Sequence, residues 1–161
     1  MMTIPLTQGK VALVDDEDYE KLAVHKWHAA FRDGTWYATR RTPQPHNTLV
    51  YMHRVIMSHI TSRVDHKDNN GLNNQRYNLR PCTSSQNARN ARHHRQSSSI
   101  YKGVSFKKSS GKWRANIYYD RKHHHLGTFT SEFDAHLAYR REAEIHFGDF
   151  ANFKGAREDD N

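Results

Sequence analysis

The chain has 161 residues, enough for one ordinary domain or two small ones. Only 35% of the residues are hydrophobic and the mean hydropathy is −1.01, which disfavours one large core and favours small modules. The net charge of +8 favours polyanionic partners, and the single cysteine excludes an internal disulfide and a cysteine-based zinc site.

The positive charge is concentrated in the middle of the chain. Residues 51–100 carry eight Lys/Arg and two Asp/Glu, whereas residues 1–50 carry six of each. No run approaches the roughly 18 apolar residues of a membrane helix, and no basic segment followed by an apolar one opens the chain. We therefore expect a cytoplasmic protein without a membrane partner, and nucleic acid is the commonest partner for such a charge.

The first 50 residues predict a small β-rich segment. Residues 10–15 are apolar and β-branched, which favours a strand. Residues 16–27 begin with acidic side chains, which suit a helix N-terminus. Residues 35–41 follow an Asp-Gly turn signal and predict a further strand.

Residues 48–95 predict the order strand, long polar loop, strand and helix. "TLVYMHRVIM" begins as a strand or enters a helix near His53. "RVDH" and "NLRPC" are short strand candidates around a loop rich in Asn and Gly, which tolerate positive φ. Thr83 and Gln86 match a capping box and predict a helix from about Ser84 to Arg95.

Residues 101–153 predict three antiparallel strands and one helix, after a serine-rich linker at 96–100 and before a tail at 154–161. The strands are "YKGVSFKK", "WRANIYY" and "HHLGTF". Ser131 is a suitable N-cap for the helix, which is expected to end at about Phe147 before Gly148. Strand alternation puts Ser105 with Lys107 on one face, and Asn116 with Tyr118 on one face.

The stretch from Val64 to Asn87, which is rich in Asn and Asp, contains candidates for hydrolytic chemistry. Asp65 at a strand end can bind a hard cation such as Mg²⁺, and His66 can act as a general base on water. Adjacent strand residues face opposite sides, so the pair needs a bend to act together. Asn87 could complete a metal site, and Asn78 could fix the imidazole of His66.

A structural alternative stands beside this hypothesis. Clusters of Asn and Asp commonly form turns, and Asp68 is assigned to the turn. Asn87 is equally explained as an exposed helix residue, and Asn78 as a residue that pins the loop.

His53 and Arg54 could contact a phosphate.

The segment "DHKDNNGLNNQRYNLRPCTSSQN", preceded by "VYMHRVIM", resembles the HNH endonucleases of the ββα-metal type found in phage and homing enzymes. The matching positions are His53-Arg54, Asp65-His66-Lys67-Asp68, Asn73-Asn74, Asn78-Leu79-Arg80 and Asn87. The resemblance implies that Asp65 and Asn87 bind one divalent ion, Mg²⁺ or Mn²⁺. It also implies that His66 is the general base and that Asn78 orients it.

The reaction implied by this resemblance is hydrolysis of DNA phosphodiester bonds to 5′-phosphate and 3′-hydroxyl ends. One active site per chain favours a nicking monomer, and a dimer could cut both strands. No small-molecule cofactor is expected. The resemblance also points to a phage- or bacterium-encoded protein.

Residues 101–153 resemble the AP2 DNA-binding domain, whose three-stranded sheet lies in the major groove of double-stranded DNA. The matching positions are Tyr101, Gly103-Val104, Lys112-Trp113, Ala115, Leu126-Gly127-Thr128-Phe129, Ala135, Ala138, Tyr139, Ala143 and Asn152-Phe153. Plant members carry arginine at the positions of Ser105 and Tyr118 and tryptophan at that of His125, so base preference cannot be transferred.

Candidate DNA-binding residues are therefore drawn from both segments: His53, Arg54, Arg80, Arg89, Lys102, Lys107, Trp113, Arg114, Asn116, Tyr118, His123 and His125. Trp113 is equally explained by packing. A metal site at the three consecutive histidines is disfavoured, because neighbouring strand residues face opposite ways.

The sequence thus predicts an α+β protein with a small β-rich N-terminal segment and a ββα-metal HNH nuclease unit over residues 1–95, the nuclease core at about 48–95. A short linker at 96–100 leads to an AP2-like unit at 101–153. The main hypothesis is a metal-dependent DNA endonuclease. The alternatives are a catalytically inactive, sequence-specific DNA-binding regulator and an RNA-binding protein.

Overall fold

The computed structural model describes residues 1–91 and 97–153. Within these ranges the chain is α+β, with four α-helices and several small antiparallel sheets, as predicted for the coarse fold class. It divides into two compact units, Met1–Ser84 and Ser85–Asn161. The predicted domain limits stay a prediction, and residues 92–96 and the tail at 154–161 lie outside the described residues. No helix within the described ranges is both long and apolar enough to cross a membrane.

The first unit consists of short strands with two helices between them. In chain order they are β1 (Met2–Pro5), β2 (Val11–Val14), α1 (Asp16–Ala23), β3 (His28–Arg32), β4 (Thr35–Arg41), β5 (Leu49–Tyr51), α2 (Met52–Ile56), β6 (Arg63–His66) and β7 (Leu79–Cys82). β1 pairs with β2, β4 lies between β3 and β5, and β6 pairs with β7, all antiparallel.

The core of the first unit collects side chains from all three groups of strands and from both helices. Its largest fully buried apolar members are Trp27, Leu22, Met52 and Val14. The first helix begins at the predicted acidic residues but ends at Ala23, short of the predicted position 27. It stops because Trp27 turns into the core, where its Nε1 donates to the carbonyl of Leu22 at 2.9 Å.

The second unit is a three-stranded sheet with helices beside it. Its elements are α3 (Ser84–Asn90, whose first residue ends the first unit), β8 (Val104–Lys107), β9 (Lys112–Tyr119), β10 (Lys122–Phe129) and α4 (Glu132–Phe147). β9 is the central strand. One face of the sheet is buried under α4, where Val104, Ala115 and Ala135 form a cluster. The small alanines allow close packing of helix and sheet.

Both ends of α4 agree with the sequence. The Ser131 side chain accepts from the amide of Asp134 at 3.3 Å, which is the predicted N-cap. The helix ends at Phe147, and Gly148 follows with φ of 51°, a conformation that glycine adopts without a Cβ penalty.

The third helix extends to Asn90 in the described residues, and its predicted end at Arg95 lies outside them. The carbonyls at this end are bonded by other parts of the unit. Lys102 Nζ donates to the carbonyls of Ala88 at 3.2 Å and Ala91 at 2.8 Å. Asn152 Nδ2 donates to the carbonyl of Asn90 at 2.7 Å. These bonds satisfy acceptors that a helix C-terminus leaves open.

Candidate functional site

Asp65 and His66 are the last two residues of β6. Asp65 lies opposite Arg80 and His66 opposite Leu79 in the pairing with β7. The pair lies at the very end of the strand, and the Asp65 carboxylate is one of the charges that act on the His66 imidazole. Both are buried, with 6% of each exposed, so neither is an ordinary surface residue.

The imidazole of His66 lies in a pocket of aromatic rings and one amide. Its ring centroid is 4.9 Å from that of His53 and 5.9 Å from that of Tyr37, and its Nε2 is 3.3 Å from Asn74 Oδ1. Burial lowers the pKa of His66, against smaller opposing effects of the Asn74 hydrogen bond and of the nearby carboxylates. The ring is therefore neutral at pH 7, the form that a general base requires.

Asn74 determines which nitrogen of His66 is basic. Its side chain is fully buried, and its Nδ2 donates to the carbonyls of Leu72 at 3.2 Å and Gly71 at 3.5 Å. These two bonds direct Oδ1 towards His66. Because an amide oxygen only accepts, Nε2 of the neutral ring carries the proton and Nδ1 is the basic nitrogen.

Asn78 makes hydrogen bonds with other residues than the predicted partner, His66. Its Oδ1 accepts from the amide of Asp68 at 3.0 Å, and its Nδ2 donates to Asp68 Oδ1 at 2.9 Å and to the carbonyl of Asn73 at 2.8 Å. The predicted contact with His66 is made by Asn74 instead. Asn78 therefore supports the site by joining the two ends of the polar loop, which is the loop between β6 and β7 (residues 67–78). The assignment of Asp68 to the turn agrees with these bonds.

The polar loop is hydrogen-bonded to β2 and α1 of the N-terminal segment. The amide of Asn74 donates to the carbonyl of Leu13 at 2.8 Å, and the amide of Leu13 donates to the carbonyl of Leu72 at 2.8 Å. Arg76 donates through Nε and Nη2 to both oxygens of Asp18, each at 2.8 Å. These contacts fix the backbone that carries Asn74.

Glycine is required where this loop meets β4. A Cβ built on Gly71 would collide with the carbonyl oxygen of Trp36 and would lie 2.6 Å from the ring of Tyr37. Only a residue without a side chain permits this approach. Tyr37 is the same residue that faces His66, so the close packing also positions the wall of the His66 pocket.

Asp65 forms a buried ion pair with Arg80. Arg80 Nε and Nη2 both donate to Asp65 Oδ2, at 2.9 and 2.8 Å, and both side chains are at most 10% exposed. Arg80 was predicted to contact DNA, and this stays a prediction; in the structure its guanidinium donates to Asp65. Arg80 fixes the carboxylate beside the candidate base.

The donor chemistry at Asp65 fits a hard divalent cation. Mg²⁺ in proteins is commonly held by one or two carboxylates, with water and substrate phosphates completing its shell. A carboxylate has two oxygens and about four lone-pair positions, so it can accept from an arginine and also bind a cation. Among the described residues, no group of three or more His, Cys, Asp or Glu could hold a metal ion. Asn87, the predicted second ligand, lies half-buried on α3 in the second unit, and its role stays a prediction.

His53 and Arg54 both lie on α2. Burial, with smaller contributions from the charges of His66 and Arg54, lowers the pKa of His53 to about 3. A neutral His53 offers no charge to a phosphate, so its predicted DNA contact is limited to hydrogen bonding. Arg54 donates through Nη1 to the carbonyl of Ser62, and a guanidinium has five donors in total, so one bond leaves it able to contact a phosphate.

Six of the predicted DNA-binding residues share one face of the sheet in the second unit. Cross-strand partners on this face are Ser105 with Arg114, Lys107 with Lys112, Asn116 with His125, and Tyr118 with His123. We call this surface the outer sheet face; the predicted DNA-binding residues on it are Lys107, Arg114, Asn116, Tyr118, His123 and His125. It lies opposite the face that packs on α4, as strand alternation predicted.

Trp113 and Lys102 make contacts within the second unit, and their predicted contacts with DNA stay predictions. Trp113 lies on the helix side of the sheet, where it contacts the ring of Phe106 at 4.9 Å and packs on the cluster around Ala115. The ammonium of Lys102 is bonded to the end of α3, and burial lowers its pKa to about 8.

Arg89, which was also predicted to contact DNA, makes a contact within this unit. Its guanidinium lies 4.6 Å from the ring centroid of Phe147, a cation–π contact that joins α3 to α4. The three consecutive histidines are split by the strand as expected: His123 and His125 lie on the outer sheet face, whereas His124 stacks on Tyr119 at 3.8 Å on the other side.

Comparison with known proteins assigns no family to this chain: no family model, no curated protein and no solved structure matches it. The function is therefore argued from two groups of residues. One is the His66 site, which consists of Asp65, His66, Asn74 and Arg80. The other is the outer sheet face. Sequence reasoning missed the role of Asn74, although the Asn73-Asn74 pair was part of the recognised pattern.

Proposed function

We propose that the chain is a metal-dependent endonuclease that hydrolyses phosphodiester bonds in double-stranded DNA. The first unit supplies the chemistry and the outer sheet face of the second binds the duplex. The observation that carries the proposal is His66: a buried, neutral imidazole whose Nε2 is bonded to a fixed amide and whose Nδ1 is the basic nitrogen. Its neighbour in sequence is a carboxylate held by an arginine.

In the proposed reaction, His66 Nδ1 takes a proton from water while the water oxygen attacks phosphorus. The bond from phosphorus to the 3′ oxygen breaks, which leaves a 5′-phosphate and a 3′-hydroxyl. Asp65 would hold one divalent ion, which would supply charge stabilisation at the phosphate and the leaving oxygen. Arg80 keeps the Asp65 carboxylate in place, and Arg54 contacts a phosphate of the substrate.

Removal of the metal tests this function most directly. Supercoiled plasmid incubated with the full-length protein is expected to become open-circular or linear with Mg²⁺ or Mn²⁺ and to stay supercoiled with EDTA. The nicks should be sealed by DNA ligase, because ligase requires a 5′-phosphate beside a 3′-hydroxyl. Equal cutting in EDTA would contradict the metal requirement. Duplex binding without cutting in any metal would instead support the inactive DNA-binding regulator.

Loss of the Asn74 side chain is expected to reduce turnover without reducing DNA binding. Asn74→Ala removes the bond that holds His66, and a base displaced by about 1 Å costs roughly 100-fold in rate. The rate at saturating DNA should fall by about that factor, whereas the DNA concentration for half-saturation should change little.

The matched control for this variant is Asn70→Ser, which changes an exposed residue of the same loop but keeps a side-chain oxygen for the Leu72 amide. It should cut at close to the wild-type rate. Equal rates for Asn74→Ala and the wild type, with both proteins folded by circular dichroism, would remove Asn74 from the proposed mechanism.

A further inference from the structure

The charges of the second unit are distributed unequally between its two sides. Residues 101–129, which contain the sheet, carry seven Lys/Arg and one Asp/Glu, whereas residues 132–149, which contain α4, carry two and five. Lys107, Lys112 and Arg114 lie on the outer sheet face. A polyanion is therefore attracted to the sheet and repelled by the exposed side of the helix.

A row of three hydrogen-bonding side chains lies beside these cations, on β9 and β10 of the outer sheet face. Asn116 and His125 are directly opposite each other on β9 and β10. His125 Nδ1 is 3.1 Å from Asn116 Oδ1, and His125 Nε2 is 3.4 Å from Thr128 Oγ1. Thr128 reaches the histidine because the register shifts between His125 and Gly127, where Gly127 has φ of 134°.

The donor and acceptor roles in this row of three side chains follow from the chemistry of Asn116 and Thr128, which lie at its two ends. Asn116 Oδ1 can only accept, so His125 Nδ1 must donate to it. A neutral imidazole then has an acceptor at Nε2, and the hydroxyl of Thr128 donates to that nitrogen. With the amide oxygen of Asn116 facing His125, as in the structure, this tautomer of His125 satisfies both hydrogen bonds.

The Asn116 amide is thereby held with its NH₂ group available for a ligand. Within the described residues no hydrogen bond engages Asn116 Nδ2, and Oδ1 retains a second lone pair beside the one that His125 uses. The side chain thus presents a donor and an acceptor side by side. In the major groove of DNA, adenine presents the complementary pair, an acceptor at N7 and a donor at the N6 amino group.

We propose that Asn116 recognises one adenine in the major groove of duplex DNA and that His125 and Thr128 hold its amide in the recognising orientation. This inference rests on the proposed function only for the assignment of duplex DNA to the outer sheet face. Double-stranded RNA is a poorer ligand, because its major groove is too deep and narrow for side chains to read. Lys107 supplies a phosphate contact without base recognition.

The test uses the full-length protein in EDTA, so that binding is measured without cutting. A preferred duplex is first selected from a randomised pool. Each adenine in that duplex is then replaced in turn by 7-deazaadenine, which keeps base pairing but removes the N7 acceptor. The wild type is expected to bind roughly ten-fold or more weakly when one particular adenine is replaced.

Variants assign this sensitivity to the side chain. Asn116→Ala, and Asn116→Thr as a second variant suited to a strand, should bind the parent and the 7-deaza duplex equally, while preferences at other positions persist. Thr128→Val should reduce the sensitivity without abolishing it. The matched control Lys107→Ala should weaken all duplexes by a similar factor, lower the salt dependence, and keep the sensitivity.

The inference is overturned if no adenine shows this sensitivity, if the sensitivity persists in both Asn116 variants, or if the protein prefers double-stranded RNA. Each of these results with metal-dependent nicking intact would overturn adenine recognition and leave the nuclease proposal standing. Absence of both duplex binding and nicking would overturn the proposed function itself.

Discussion

Replacing His66 with alanine is expected to reduce plasmid nicking by about 10²- to 10⁴-fold, the usual contribution of a positioned general base. The imidazole is neutral and its Nδ1 is the basic nitrogen, so its loss leaves no equivalent proton acceptor at that position. The measurement is the single-turnover nicking rate with Mg²⁺, beside duplex binding in EDTA. Binding should stay within about two-fold of the wild type, since the proposed DNA-binding surface lies in the other unit.

Two further variants make this result interpretable. His59→Ala removes an exposed histidine of the same unit and should nick at the wild-type rate. His66→Gln places a hydrogen-bonding amide at the buried position but supplies no base at neutral pH, so it should be as inactive as His66→Ala. Wild-type rates for both His66 variants would show that this residue is not the base.

The order of elements around the His66 site could be predicted from the sequence because its signals are local. "RVDH" and "NLRPC" are short and β-prone, the loop between them is rich in Asn and Gly, and a capping box starts the following helix at Ser84. All three elements formed at about the predicted positions, as β6, β7 and α3. Local signals also set both ends of α4.

The partner of His66 could not be predicted in the same way. Asn74 and Asn78 are amides in one loop, and both are compatible with the spacing of the motif. The structure distinguishes them because Leu13, some 60 residues earlier, pairs with the loop and turns Asn74 towards the imidazole. Asp68 captures Asn78 from the other side. Both outcomes depend on tertiary contacts that spacing does not encode.

The same reasoning applies to the predicted DNA-binding residues. Alternation along a strand was sufficient to group Asn116 with Tyr118 on one face and Ser105 with Lys107 on one face. The contacts that Lys102 and Arg89 make within the second unit could not be predicted, because their partners are distant in sequence. A lysine that caps a helix and an arginine that stacks on Phe147 look like any other basic residue in a basic chain.

Two strands of the N-terminal segment were not predicted. β1 has four residues, and the loop that joins it to β2 uses positive φ at Gln8 and Gly9. β3 contains Ala29 and Ala30, and alanine is depleted in strands. β3 forms because it pairs along its whole length with β4, whose own signal was strong. Pairing therefore compensates for weak local propensity.

Replacing Gly103 with alanine is expected to destabilise the second unit by about 2–5 kcal/mol. Gly103 has φ of 74°, where an L-residue loses roughly 1–2 kcal/mol. Its Cβ would also collide with the ring of Tyr139 and lie 2.8 Å from the Asn116 carbonyl oxygen, and overpacking of this kind costs about 1–3 kcal/mol more. Tyr139 is 3% exposed and belongs to the core, so it has little room to move.

Gly111→Ala separates the collision from the backbone effect. Gly111 has a similar φ of 61°, but a Cβ built there meets no atom within 4 Å. It should therefore lose only the roughly 1–2 kcal/mol of the left-handed conformation.

The measurement is amide hydrogen exchange of β9, which reports opening of the second unit separately from the first. Equal loss of protection in both variants would show that Tyr139 relaxes and that the close approach is not required. A larger loss in Gly103→Ala, with weaker duplex binding, would show that this packing supports the outer sheet face, since the Gly103 carbonyl accepts from the amide of Asn116 at 2.8 Å.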